Sequence, residues 1–495
     1  MRKTYLPKPA DTSGTNNLRR VLNAVPLEVH LARSSENFEC LQLPEPEHIF
    51  GGQRRCVDVK TGICAYGPSW WMSSAGRPRV RIGIVGTAGD IERTLELLKE
   101  ISQPIEQVSS IDCVLYPSFP GLNSGPPFEA DVLSQPDWHR SITPQELRRA
   151  AECGDPEARL ELLQACFSRK VQALHTLKNG PDVVICALSG NSENTLFSEG
   201  ANNLSCDLLR KFKFGLKAAC MGTLPIEIIW DDRRAPGSGS EDRATRAWNL
   251  TATLLHKSGL AAWLPASATR GACYAGISSY GGLDSRNIFA QFVTDGGERF
   301  IVKPETQDWN RDGETRRTAR LSEDAAATLA SQILDVYRQE CGGLPRKVVI
   351  HKTSHYSVAE RKGFERVLAS TESYGLVTVT RRGIFCVRPG SQPILRGTAI
   401  PFGEKLGLVY TSGYVPFLRS DSGPSVPHPL EVTENWGRLS FQEVAEDLLR
   451  LTKMDLNTPV FSTNDPATLA FSNQVGEILS RLGQKIPASH GKYYL

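Results

Sequence analysis

The sequence predicts an α/β protein with two sheet-centred lobes. Two observations carry that reading. Between Val80 and Ser189, short apolar runs alternate with stretches of helical periodicity, the pattern of a Rossmann-like sandwich built on a parallel sheet. From Tyr274 onward, closely spaced apolar runs replace that alternation, as in an antiparallel meander that leads into a second layer of helices. A chain of 495 residues suits about two to four domains, each able to bury a core of its own.

Taken in order, the first ~75 residues carry short apolar pieces among Pro, Gly and charge, and read as strands and loops that dock onto something larger. Ser73 to Pro78, "SSAGRP", reads as a linker. Next comes "VRIGIVGT", a strand ending at Gly86, and then "DIERTLELLKEI", apolar at helical spacing. "DCVLYPS" and, after a polar helical stretch, "DVVICALS" repeat the strand pattern. Ala235 to Arg246, "APGSGSEDRATR", reads as a flexible loop before a helix. In the second lobe "YAGISS", "NIFAQFVT" and "RFIVKP" form the meander, followed by a helix within Glu323 to Cys341 and a strand at Lys347 to His351. Further strands are expected at "LVTVT", "IFCVRP" and "LGLVYTS", then two helices, "SFQEVAEDLLRL" and "DPATLAFSNQVGEILSRL". Ser440 and Glu443 have capping-box spacing at the start of the first of these. The expected divisions are 1–75, 76–265 and 266–495.

Composition excludes several classes. Lys+Arg 57 against Asp+Glu 54 leaves a net charge of +3, so contact with nucleic acid must come from local basic patches. Twelve cysteines stand singly, without CxxC pairs or zinc-site spacing, which predicts reduced, mostly buried thiols in a cytoplasmic protein. "MRKTYLPKPADTSG" has no apolar signal core, and no apolar run reaches about 18 residues, so neither secretion nor membrane spanning is expected. No GxxxxGK[ST] occurs, and "GTAGD" lacks GxGxxG spacing, which argues against an ATPase or dinucleotide enzyme.

The informative basic segment is "RKFKFGLKAACMG". Lys213 and Lys217 lie four apart and share a helix face, where two ammonium groups repel unless an anion lies between them. For such a pair alone a solvated helix surface is the favoured reading, and a third basic group from a distant helix would change that balance. In "RAWNLTATLLHKSGLAAWLP", Trp248, Leu250 and Leu254 predict a buried face, and Lys257 ends the helix ahead of Gly259. Lys at a helix C-terminus also has an ordinary role in offsetting the macrodipole.

In this order, "DLLRKFKFGLKAACMGTLPIEII", "AWNLTATLLHKSGLAAWLP" and the strand "AGIS" resemble the junction of the MID and PIWI domains of Argonaute proteins, where guide 5′ phosphates are held. "LPEPEHIFGG" with "DVKTGICAYGP", and "LLRLTKMDLNTPVF" with "DPATLAFSNQVGEIL", resemble further Argonaute segments, so the resemblance covers nearly the whole chain. It implies a Rossmann-like MID domain and an RNase H-like PIWI domain after a short N-terminal segment. There is no room for separate N and PAZ domains of about 100 residues each, as in short prokaryotic Argonautes.

Carried over residue by residue, the resemblance implies a guide 5′-phosphate pocket of Lys213, in a place often held by Tyr, with Lys217 and Lys257. Leu495 would offer its α-carboxylate to a Mg²⁺ ion bridging to the guide, since a carboxylate beside a phosphate otherwise repels it. Glu227 in "PIEII" stands where the family often has Gln; an acid there either joins the metal or weakens the pocket.

PIWI resembles RNase H, and slicing through two metal ions needs several carboxylates. Active relatives carry "GID" and "HRDG", whereas this chain has "GIS" and "HKTS", which puts Ser278 and Thr353 where aspartates would be. Asn473 falls at the expected fourth position and is neutral as well. Hydroxyls do not replace anionic ligands for a hard divalent cation, so no slicing is expected. The alternative is a stand-alone guide-directed endonuclease in which another acid, such as Asp284 or Asp295, completes a metal site. By resemblance, the protein senses invader DNA: an RNA guide pairs with single-stranded target DNA. Detection then activates an APAZ-containing partner carrying a TIR, sirtuin-like or nuclease domain, without membrane attachment. A plain single-strand-binding module would ignore the guide's 5′ phosphate.

Overall fold

A computed structural model describes residues 40–494, except 71–76, 108–115, 123–126, 129, 189–201, 231–241, 267–269, 282–286, 304–319, 382–393, 419, 422–425 and 483–488. The expected linker at Ser73 to Pro78 thus lies largely outside the described residues, as do "IFCVRP" and Leu495.

The segment from Cys40 to Trp70 holds three two-residue strands, β1 (Leu41–Gln42), β2 (His48–Ile49) and β3 (Arg55–Cys56), a 3-10 turn at Gly51–Gln53 and one α-helix, α1 (Val59–Tyr66). Asp58 caps α1 by accepting from Thr61 N at 2.8 Å. Strands this short do not stabilise themselves, and their side chains show where they dock. Phe50, Val59 and Ile63 are buried in the core of the first lobe, and Leu43 in that of the second.

The first lobe runs β4 (Arg79–Gly86), α2 (Ala88–Ile101), β5 (Asp131–Leu133), β6 (His139–Ser141), α3 (Pro144–Ala151), α4 (Pro156–His175), β7 (Val183–Leu188), α5 (Asn202–Ala219), β8 (Ile226–Trp230) and α6 (Arg243–Lys257). All its pairings are parallel, in the order β5-β4-β7-β8, with β6 also pairing to β4. Helices cover both faces, which is why β7 reads as a continuous apolar run and is buried at every residue. Gly86 ends β4 because a side chain there would collide with Asp90 and the Ala187 carbonyl; Thr87 and Asp90 then form the capping box of α2. "DCVLYPS" departs from expectation: the described part, Tyr116 to Ser118, is not strand. The loop expected to reach Arg246 also ends early, because Asp242 caps α6 and the helix begins at Arg243.

The second lobe runs β9 (Leu264–Pro265), β10 (Ala272–Tyr280), β11 (Asn287–Thr294), β12 (Arg299–Val302), α7 (Glu323–Cys341), β13 (Lys347–Lys352), α8 (Val358–Leu368), β14 (Ser373–Thr380), β15 (Thr398–Pro401), β16 (Gly407–Val409), the hairpin of β17 (Tyr414–Val415) and β18 (Ser420–Asp421), β19 (Leu430–Gly437), α9 (Phe441–Leu451), α10 (Ala467–Ala470), α11 (Ser472–Leu482) and β20 (Ser489–His490). Ten strands form one sheet, ordered β1-β15-β16-β19-β14-β13-β10-β11-β12-β20. The meander β10-β11-β12 is antiparallel as expected, while β10, β13 and β14 run parallel. Through β1 the N-terminal segment adds an edge strand to this sheet, and through β2 it pairs with β9. Buried Arg396 holds Glu45 at 3.0 Å, and Lys453 holds the same carboxylate at 3.0 Å.

Two expectations are corrected. The last helical stretch is broken at Phe471 into α10 and α11. The break lets the Thr468 carbonyl accept from buried Gln291 Nε2 at 2.6 Å, and the chain there packs directly on Gly276 of β10. The cysteines are less uniformly buried than expected: of the described thiols, Cys166, Cys186, Cys220 and Cys273 are buried, but Cys40, Cys64 and Cys341 are exposed. Among the described residues no helix is long and apolar enough to cross a membrane.

Candidate nucleic-acid interface

The first lobe's C-terminal helices converge on the second lobe beside β8, the edge strand of its sheet. Helix α5 puts Phe212 and Leu216 into the first core, and the same helix packs Ala218 against α11, Tyr280 and Tyr494 of the second lobe. The remaining face of α5 carries Lys213 and Lys217, one turn apart. Lys213 is half-buried and Lys217 is buried, so a solvated surface does not describe the pair. Lys217 Nζ donates to the Tyr494 carbonyl at 3.3 Å, and Gln474 of α11 donates to that same oxygen.

Helix α6 delivers Lys257 to the same place. Its apolar stripe, Trp248, Leu254 and Leu255, is buried, while Leu250 is half-buried. Lys257 itself is fully buried, so compensation of the macrodipole at a wet helix end does not account for it. Its ammonium donates to the Ile226 carbonyl at 2.7 Å and forms an ion pair with Glu227, whose side chain is 25% exposed.

The electrostatics couple these charges to one another. Burial, then the ammonium groups of Lys257 and Lys213, push the Lys217 ammonium well below its usual range. Burial lowers Lys257 too, against the pull of Glu227, and Lys213 adds to the lowering. Burial raises the Glu227 carboxyl, but Lys257, Lys217 and Lys213 outweigh that and hold it below its ordinary value. With every group ionised, three cations and one anion leave a formal charge of +2. A terminal phosphate, at about −1.5 to −2 near neutral pH, complements that.

The four described residues of the expected pocket, Lys213, Lys217, Glu227 and Lys257, therefore come together. Leu495 lies outside the described residues; its neighbour Tyr494 is buried and reaches Lys217. Sequence reasoning missed Gln474, which holds the same carbonyl from α11; no local pattern marked it, since only the fold brings that helix to the end of α5. For a Mg²⁺ ion, Glu227 offers a hard oxygen donor that is part-exposed beside the cationic cluster. That carboxylate already pairs with Lys257, so a Mg²⁺ ion held there would share it with a buried ammonium and take its other ligands from phosphate and water.

The second expected constellation lies along β10 and β13. Gly276 pairs with His351 at the end of their parallel ladder; Ser278 lies two residues further along β10, and Thr353 just past the end of β13. Helix α11 lies over β10, with Gly476 so close to Tyr280 that an added Cβ would stand 3.1 Å from it. Asn473 is exposed one turn earlier on the same helix. Ser278 is half-buried and Thr353 exposed. Their neighbours are structural: Lys352 is buried in an ion pair with Glu360 at 2.7 Å, and buried His351 meets the Thr468 hydroxyl at 3.1 Å. Burial, then Lys347, pushes His351 down to about 3, so it is neutral.

Asp295 is at the wrong end of this strand to complete a metal site. Its carboxylate accepts from Gly271 N at 3.0 Å, beside the start of β10. Seven residues of strand, roughly 23 Å, separate that end from Ser278. Asp284 lies outside the described residues. Among the described residues, no group of three or more His, Cys, Asp or Glu side chains is placed to hold a metal ion.

No protein-family model and no curated protein matches the chain. Solved structures do. Clostridium butyricum Argonaute bound to a guide DNA and a 19-mer target DNA aligns with a TM-score of 0.55 at 13% identity, covering 91% of this chain and 54% of that one. A. aeolicus Argonaute aligns at 0.56 and 14% identity, covering 93% and 56%. Aa-Ago with externally bound siRNA aligns at 0.54 and 13% identity, over the same shares. The fold is therefore that of the Argonaute MID and PIWI lobes, and the chain spans just over half the length of the structures it matches.

Proposed function

We propose that this protein binds an RNA guide by its 5′ phosphate, uses the guide to recognise single-stranded invader DNA, and does not cut it. The observation that carries the reading is the convergence of Lys213, Lys217 and Lys257, from two helices, on one part-buried site at the junction of the lobes. Two buried ammonium groups beside a half-buried third carry more charge than the single carboxylate of Glu227 offsets, and a terminal phosphate supplies the remaining charge and several acceptors at once. Sequence discrimination then belongs to base pairing, the protein holding the backbone.

Absence of slicing is supported by Ser278, Thr353 and Asn473 at the strand and helix positions where the resemblance calls for carboxylates, and by the distance of Asp295 from them. A Mg²⁺ ion bound at the site would offset phosphate charge; the chain's part is to hold the phosphate with the three lysines. A sensor without a cutter needs an effector, so we assign the response to an APAZ-containing partner with a TIR, sirtuin-like or nuclease domain, acting in the cytoplasm.

Isolation of the protein from its native host, followed by end-labelling and sequencing of the nucleic acid it carries, tests this. Short RNAs of uniform length with 5′ phosphates are expected, together with a copurifying effector subunit. Random or absent nucleic acid, or discrete Mg²⁺-dependent cleavage of a target opposite the guide, contradicts it.

A further inference from the structure

Lys257 presents its charge to a carboxylate of its own chain. One of its protons goes to the Ile226 carbonyl, and Glu227 takes another. Because an ammonium has three protons, a ligand at this site meets a lysine already engaged twice. Glu227 also lines a cavity of about 430 Å³ between α2, β8 and α6, shared with Asn249, Leu250 and Thr253. The residue that pairs with the buried cation thus also borders an open space large enough to receive a carboxylate.

Resting on the phosphate-pocket reading above, we infer that Glu227 is an exchangeable internal counter-ion. It stands in for the ligand's phosphate on Lys257 while the pocket is empty, and turns off Lys257 toward the cavity when a phosphate binds. Charge favours the exchange: a carboxylate brings one negative charge to Lys257, whereas a terminal phosphate brings up to two and also reaches Lys213 and Lys217. The carboxylate also opposes it, because an anion left beside the incoming phosphate repels that phosphate across a part-buried site of low effective dielectric. Glu227 therefore sets how strongly the pocket distinguishes a phosphorylated end from a hydroxyl end. It keeps Lys257 paired in the empty protein, at the expense of affinity.

The test measures dissociation constants of 5′-phosphorylated and 5′-hydroxyl forms of one guide RNA in EDTA, for the full chain and three variants. Glu227→Gln is expected to raise the phosphate-to-hydroxyl preference about tenfold. Lys257→Gln, which leaves Glu227 unpaired before the phosphate, is expected to abolish most of the preference. In the double variant both charges of the pair are gone, so neither is left buried without the other; it is expected to recover part of what Lys257→Gln loses. A Glu227→Gln preference equal to or below wild type, or a double variant no better than Lys257→Gln, overturns the inference while leaving the pocket assignment in place. A wild-type protein with no preference in EDTA or in Mg²⁺ overturns the pocket assignment itself, and the inference with it.

Discussion

Lys217 Nζ lies 3.3 Å from the carbonyl oxygen of Tyr494, joining residues 277 apart in sequence. That contact ties the first lobe's basic helix to the end of the described chain, so the candidate pocket exists only when both lobes are packed. Tyr494 is buried with Tyr280, Phe289, Ile301 and Ile478. Its replacement by Ala should cost about 3–5 kcal/mol of stability, as large aromatic-to-Ala cavities do, and should weaken guide binding along with it. Urea denaturation and guide titration of the same variant measure both effects.

Lys217→Ala removes one charge-assisted contact. The expected loss is about 1.5–3 kcal/mol for a 5′-phosphorylated guide and little for a 5′-hydroxyl guide. A solvated surface lysine would weaken both guides alike, so fluorescence anisotropy with the two ends separates the roles.

Gly276→Ala would drive a Cβ into the Thr468 carbonyl, a backbone atom that cannot turn aside. A loss of about 1–3 kcal/mol or more is expected in thermal unfolding, since the break between α10 and α11 would have to lift from β10.

His351 gives a pH dependence with a definite sign. Its folded value of about 3 lies below the ordinary 6.5, so the unfolded chain binds a proton that the folded one refuses. That stability is fully present above pH 6.5 and is lost as pH falls toward 3, by about 2 kcal/mol at pH 5. His351→Asn should lessen the difference in unfolding free energy between pH 7.5 and pH 5 by a similar amount.

Much of this architecture is legible from the residues. The β7 run, the α9 capping box and the meander read from Tyr274 follow from local pattern, because each is fixed by periodicity or a cap. The break at Phe471 is not legible. Gln291 and Gly276, nearly two hundred residues away, provide the partner and the space that make the Thr468 carbonyl leave its helix. Lys213 and Lys217 were visible as a pair, and Lys257 as a helix end. The ion pair of Lys257 with Glu227 was hidden, because β8 and α6 are separated by a loop and local spacing does not say which face of an edge strand meets which helix.

The central claim is that the pocket of Lys213, Lys217 and Lys257 holds a terminal phosphate. Competitive binding of one guide RNA carrying a 5′ phosphate or a 5′ hydroxyl, in Mg²⁺, tests it most directly. A preference of about a hundredfold for the phosphate, as expected of two or more charge-assisted contacts, agrees with the account; equal affinity for the two ends contradicts it.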